Sequence, residues 1–201
     1  TYCYSTAEVY SDYGYAGGFV GYNEGTINYC YATGDVESDD DYAGGFVGYN
    51  DDDREINNCY ATGDVYTDYD YAGGFVGYNE GDINRCYSTG EPEAYNNFEG
   101  GFSGYNDGYF TCCFWNEDTS GFSDGVGGGD DKGLTGLENS DFTDETEFYC
   151  FDFINFWTMG ANGPQLIFPV LIPTLGEWGI IALSILMLVM GGWFVYRRRF
   201  A

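Results

Sequence analysis

Five cysteines, Cys3, Cys30, Cys59, Cys86 and Cys113, recur along the chain at spacings of 27, 29, 27 and 27 residues. Thiols can hold a metal, pair as disulfides or act as nucleophiles, and each chemistry needs its own geometry. Zinc requires ligands brought to one point, commonly as CxxC pairs, and here no such pair exists. One thiol per repeat instead makes a column. Neighbours stacked at a strand spacing of ~4.8 Å would point the same way rather than towards each other, which disfavours bridges within the column. The ladder is therefore read as buried free thiols behaving as small hydrophobes. Cys112 and Cys150 stand outside the spacing, and two readings stay open for them: an isolated bridge, or two more free thiols.

Carboxylates form the second candidate set. "ESDDDY", "NDDDRE", "TDYDY" and "NEGD" place acids at successive turns, with Asp39, Asp40, Asp41, Asp51, Asp52 and Asp53 as the densest group. Calcium takes six to eight oxygens, and such turns could supply them. Neither an EF-hand loop nor a GGxGxDxUx nonapeptide is present. The first expectation is thus a solvated, aggregation-resistant surface without a cofactor, with calcium as the weaker alternative. Paired carboxylates can also cleave glycosidic bonds, but nothing singles out one pair. The chain contains no histidine, which removes the commonest general base. The expectation is a protein that is not an enzyme.

The formal charge is -27, and three of the six basic residues are Arg197, Arg198 and Arg199 at the very end. A surface with 33 acids repels phosphate backbones, so nucleic acid is excluded as a partner. Exposed tyrosines offer a different surface, able to meet a polysaccharide or a protein.

The elements that position these residues follow the same period. Gly-Gly pairs begin at Gly17, Gly44, Gly73 and Gly100, each 14 residues after a ladder cysteine. The nonapeptide YAGGFVGYN occurs three times unchanged, at 15–23, 42–50 and 71–79. Each unit reads as two short strands, one around the cysteine and one around the Gly-Gly pair. Alternation in "CYATGDV" turns Cys59, Ala61 and Val65 inward. Phe46 and Val47 are adjacent and should face opposite ways, with Val47 inward. Verbatim repetition at this period, in glycine-rich, β-branched and aromatic strands, predicts a stack of β-coils.

The pattern Gly-Gly-Phe-Val-Gly-Tyr-Asn followed by Ile-Asn-x-Cys-Tyr-Ala-Thr-Gly-Asp-Val resembles the GLUG motif of bacterial and archaeal surface proteins, over roughly residues 1–115. "CFWNEDTSG", "GLTGLENSDF" and "FDFINFWTMGANGPQL" are similar to the segment that closes GLUG arrays. Such a cover would protect the open strand edges of the last coil. The chain begins within a unit, at "TYCYSTAEVY", and a longer precursor with a secretion signal is expected.

Residues 179–196 carry no charge, and Trp178, Trp193 and Tyr196 flank or close the stretch. This is long enough to cross a bilayer, and the three arginines that follow would remain cytoplasmic. Ile172, Pro173, Thr174 and Leu175, with Trp178 and Gly179, resemble an IPTL-CTERM sorting signal, a relative of the PEP-CTERM class in Gram-negative bacteria. The resemblance implies an exosortase-type transpeptidase as partner and a transient inner-membrane anchor.

The expected fold is all-β: a β-solenoid, or β-helix, of about four to five 27–29-residue coils over 1–113, with a cap over 114–169 and a sorting segment over 170–201 containing one transmembrane helix. The expected function is a secreted, sortase-processed surface or adhesion protein. A calcium-dependent carbohydrate-binding module is the alternative, and a polysaccharide-active enzyme is a more distant one.

Overall fold

The computed structural model describes residues 2–167. They form a succession of very short parallel strands wound into a solenoid of about four turns. One turn comprises Cys30–Ala32, Val36–Ser38, Ala43–Gly44, Val47–Asn50 and Glu55–Asn57. Each strand pairs in parallel with its equivalents one turn away, giving four four-stranded sheets and a six-stranded sheet that carries the cysteines. Register is strict: Val47 opposes Val20 and Val76, Ile56 opposes Ile27 and Ile83, and Val65 opposes Val36.

A turn therefore holds five strands where the sequence predicts two, because bends restart the alternation. Phe46 shows how. It lies at a bend between Ala43–Gly44 and Val47–Asn50, and its amide and that of Val47 both donate to the carbonyl oxygen of Phe75, at 2.9 and 3.1 Å. Two residues opposing one acceptor make a bulge-like corner. Phe46 and Val47 are thus both fully buried, rather than facing opposite ways. Phe19, Phe46, Phe75 and Phe102 stack with ring centroids 4.8–4.9 Å apart.

A second corner precedes each cysteine. Tyr29, Asn58, Arg85 and Cys112 all have left-handed backbones, with φ of 58°, 54°, 52° and 60°. Such a conformation costs a non-glycine residue roughly 1–2 kcal/mol, and the stacking of identical corners repays it. Inside these corners the core is a set of columns: cysteines, phenylalanines, valines and isoleucines, with Ala32 and Ala61. A smaller column of Val36, Val65 and alanines lies to one side. Cys59, Ala61 and Val65 all point inward and are buried.

The residues after the fifth cysteine do two separate jobs. Residues 122–137 extend the stack: Leu134–Leu137 pairs in parallel with Cys113–Asn116, and Val126 and Gly129 bridge to Ser103 and Asn106. Residues 138–167 then turn back along the flank of the cysteine sheet. We call this second part the strap; it ends in an antiparallel hairpin, Trp157–Gly160 with Gly163–Leu166.

Candidate binding surfaces and the flanking strap

Two faces of the solenoid carry side-chain chemistry. On the first, Tyr22, Tyr49, Tyr78 and Tyr105 stack at 5.1–5.2 Å with interplanar angles of 4–17°. Tyr42, Tyr71 and Phe98 form a parallel column beside them, meeting the first edge-on. Ring faces are consumed by the neighbours above and below, so this surface presents ring edges and hydroxyls. The Tyr78 hydroxyl donates to Asp107 Oδ2 at 2.8 Å. Burial within the stack, and then a neighbouring carboxylate, pushes the Tyr22, Tyr49 and Tyr78 hydroxyls above their usual range.

The second face is the outer side of the cysteine sheet, where Tyr31, Tyr60, Tyr87 and Phe114 occupy successive turns. Here the strap lies over the column. Phe148 packs on Phe114 at 4.8 Å, Phe142 meets Tyr87 edge-on at 5.5 Å, and Trp157 sits 6.1 Å from both Tyr60 and Tyr87. Tyr60 and Tyr87 become buried, so they do not belong to the exposed tyrosine surface that alternation alone suggests. The Tyr87 hydroxyl donates to the carbonyl oxygen of Pro164.

The left-handed corners are the strap's attachment points. Tyr29 packs against Phe156 at 4.7 Å, and Trp157 Nε1 donates to Asn58 Oδ1 at 3.4 Å. Cys112 forms a disulfide with Cys150, with Cα atoms 6.4 Å apart. Cys112 stands in the same register as Tyr29, Asn58 and Arg85, one residue before its ladder cysteine. This explains the doublet Cys112–Cys113: the first thiol turns outward to the strap and the second inward to the core.

Cys30, Cys59, Cys86 and Cys113 are buried thiols outside any disulfide, and Cys3 is an exposed one. Each buried sulfur sits near a backbone carbonyl: Cys59 Sγ donates to Asn57 O at 3.3 Å and Cys86 Sγ to Asn84 O at 3.3 Å. Burial pushes the Cys59 and Cys86 thiols up, and Cys113 to about 12. The column is protonated and sealed, which suits packing and not nucleophilic attack or metal ligation.

The acidic residues serve the turns. Asp39 accepts from the Tyr10 hydroxyl at 2.7 Å, Asp40 from the amides of Gly14 and Asp41, and Asp41 from that of Asp70. Asp52 accepts from the Asp53 amide, and Asp51 accepts from the Arg54 amide through its carbonyl. Asp53 adopts φ 59° in the longer second turn. Among the described residues, no three cysteine or carboxylate side chains are arranged to hold a metal.

One functional row is absent from the reading of the sequence. The side-chain amides of Asn23, Asn50 and Asn79 each donate to the Asn one turn on, at 2.8, 2.8 and 2.7 Å, and Asn106 closes the row on the Asp130 carbonyl at 2.7 Å. All four are buried. The signal was available in the terminal Asn of every YAGGFVGYN, which the polar character of asparagine hides among turn residues.

Compared with known families, residues 12–37, 41–66 and 68–91 match the GLUG motif. The chain carries three GLUG repeats. Each match begins at the glycine strand and runs through the asparagine, isoleucine and cysteine strands towards the valine strand, so one GLUG motif is about one turn of the solenoid. Residues 172–200 match the IPTL-CTERM motif. Comparison with curated proteins and with solved structures gives no match. GLUG repeats together with a C-terminal sorting signal suggest a surface-exported repeat protein, and the signal implies a sorting transpeptidase as partner. Ile172, Pro173, Thr174, Leu175, Trp178, Gly179, Arg197, Arg198 and Arg199, with the span expected at 179–196, lie outside the described residues. Among the described residues, no helix is long and apolar enough to cross a membrane.

Proposed function

We propose that this GLUG solenoid is a rigid, acidic stalk or adhesion module displayed at the surface of a Gram-negative cell. In this reading the 179–196 segment anchors it transiently in the inner membrane, and an exosortase-type transpeptidase cuts near Ile172–Leu175. The match of residues 172–200 to the IPTL-CTERM motif carries the reading. The Cys112–Cys150 disulfide supports it separately, since such bonds persist in oxidising compartments outside the cytoplasm. Every strand of the stacked turns pairs in parallel with its equivalent, which suits a module whose length scales with repeat number. The protein is proposed to have no catalysis of its own: it lacks histidine and its core thiols are sealed.

Blocking the motif tests this. In a host that has the transpeptidase, replacing Pro173 and Thr174 together by alanine should hold the protein in the membrane fraction, while the unaltered chain reaches the surface or medium. Equal release of both would refute processing at this motif.

A further inference from the structure

A cleft of about 730 Å³ opens between the strap and the cysteine-sheet flank. Its size falls within the range of about 300–1,000 Å³ typical of small-ligand sites. On the solenoid side run Thr33, Thr62 and Thr89, each three residues after its ladder cysteine, and Asn116 continues the same register. Their amides follow the turn-to-turn ladder, Thr62 N donating to Ala32 O and Thr89 N to Ala61 O at 3.1 Å each. The strap contributes Asn139, Thr143, Asn162 and Gln165, with Asn139 accepting from the Asn116 side chain at 2.9 Å where the two sides meet, and Tyr60 and Tyr87 line the floor.

What the lining leaves out decides the chemistry. In a chain with 33 acids and a net charge of -27, no charged side chain among the described residues lines this cleft. An anionic ligand would meet a repelling field and no Lys or Arg. A cationic one would find no carboxylate in the cleft. Asn116 and Asn139 bond each other, and the Thr119 and Thr143 hydroxyls donate to backbone carbonyls; the hydroxyls of Thr33, Thr62 and Thr89 and the amides of Asn162 and Gln165 both donate and accept, which matches a ligand whose own groups do the same. A row of hydroxyls repeating at the strand spacing of ~4.8 Å further favours a ligand with regularly repeated hydroxyls.

We infer that this cleft is a metal-independent binding site for a neutral oligosaccharide. Recognition runs through hydroxyls and amides, because the Tyr60 and Tyr87 rings spend their faces on each other, 5.0 Å apart and 2° from parallel. An extended peptide fits less well. Strand addition needs free backbone donors along an edge, and Pro164, in the hairpin strand beside the cleft, has no amide hydrogen and gives its carbonyl to Tyr87. The inference goes beyond the sorted-stalk reading and does not depend on tail processing.

The test is calorimetric titration of the full chain, in a chelator, with cellotriose, maltotriose, mannotriose and N-acetylchitotriose, alongside trigalacturonate and a mixed tetrapeptide library. At least one neutral trisaccharide should bind with millimolar affinity or better. Thr62→Val should weaken it about tenfold, as expected for a lost hydrogen bond with its partner left unpaired. Asn162→Asp, on the exposed hairpin turn, should abolish it by adding a charge without changing the melting temperature. The inference is overturned if no neutral trisaccharide binds, if both variants bind like the original chain, or if trigalacturonate or peptide is preferred.

Discussion

The side-chain amide of Asn50 donates to Asn79 Oδ1 at 2.8 Å in the interior of the solenoid, where neither residue meets solvent. This bond links one GLUG repeat to the next at the same point in each turn. An amide is suited to the position because its donor points to one neighbour and its acceptor to the other, so an unbroken row satisfies its inner members, and the Gly25 amide and the Asp130 carbonyl meet the two ends.

Asn50→Ala would leave the Asn79 acceptor buried without its donor, and one amide hydrogen of Asn23 without its acceptor while the other still reaches the Gly25 carbonyl. Each unsatisfied group costs about 1–3 kcal/mol, so urea unfolding should show a loss of about 2–4 kcal/mol. A loss under about 0.5 kcal/mol would mean that the row does not couple the repeats.

Reducing the Cys112–Cys150 bond releases a constraint between residues 38 apart. The loop-entropy relation gives about 3–4 kcal/mol for that separation. Under mild reduction the strap should loosen first, with Trp157 fluorescence moving to the red, while the β-sheet circular dichroism of the stacked turns persists. Thiol counting of the unfolded, unreduced chain should find five free thiols, and in the native state only Cys3 should react quickly. Seven reactive thiols without reductant would remove the bridge.

Alkali should unfold the solenoid at a pH set by its core. Thiols and phenols are neutral when protonated, and a raised folded pKa contributes stability that is complete below the unfolded value and lost as pH rises through the folded one. Unfolded cysteine titrates near 9.0 and tyrosine near 10.0, whereas burial pushes Cys113 and Tyr60 each to about 12. Denaturant midpoints should therefore hold steady up to about pH 9 and fall between about pH 9 and 12. An unchanged midpoint at about pH 11 would contradict the sealed core.

The glycines divide into two kinds. A Cβ on Gly44 would collide with backbone atoms, the Val47 carbonyl oxygen and the Gly77 amide nitrogen, whereas on Gly25 its nearest neighbour would be Asn23 Oδ1 at 3.9 Å. Gly44→Ala should cost about 2–3 kcal/mol through forced backbone shifts. Gly25→Ala should stay within about 0.5 kcal/mol. Equal effects in thermal melts would show that close backbone approach is not what the Gly-Gly pair provides.

Much of this architecture was legible because it repeats. The spacing of the cysteines placed Cys30, Cys59, Cys86 and Cys113 in one column, and alternation turned Val47, Cys59, Ala61 and Val65 inward. Phe46 escaped that logic because a corner resets the alternation within two residues. Asn50 escaped because its burial depends on identical neighbours in adjacent turns, a cooperative effect that no single repeat displays. The strap was the least legible element. Phe142, Phe148 and Trp157 have no periodicity, and their partners Tyr60, Tyr87 and Phe114 lie up to 97 positions away along the chain. The neutral cleft inherits that difficulty, since half of its lining comes from the strap.

The most direct test of the sorted, surface-displayed reading is intact mass spectrometry of the mature protein from cells that carry the transpeptidase. The expected product ends within or close to Ile172–Gly179 and lacks Arg197, Arg198 and Arg199. Recovery of Arg197–Ala201 on every molecule would contradict it.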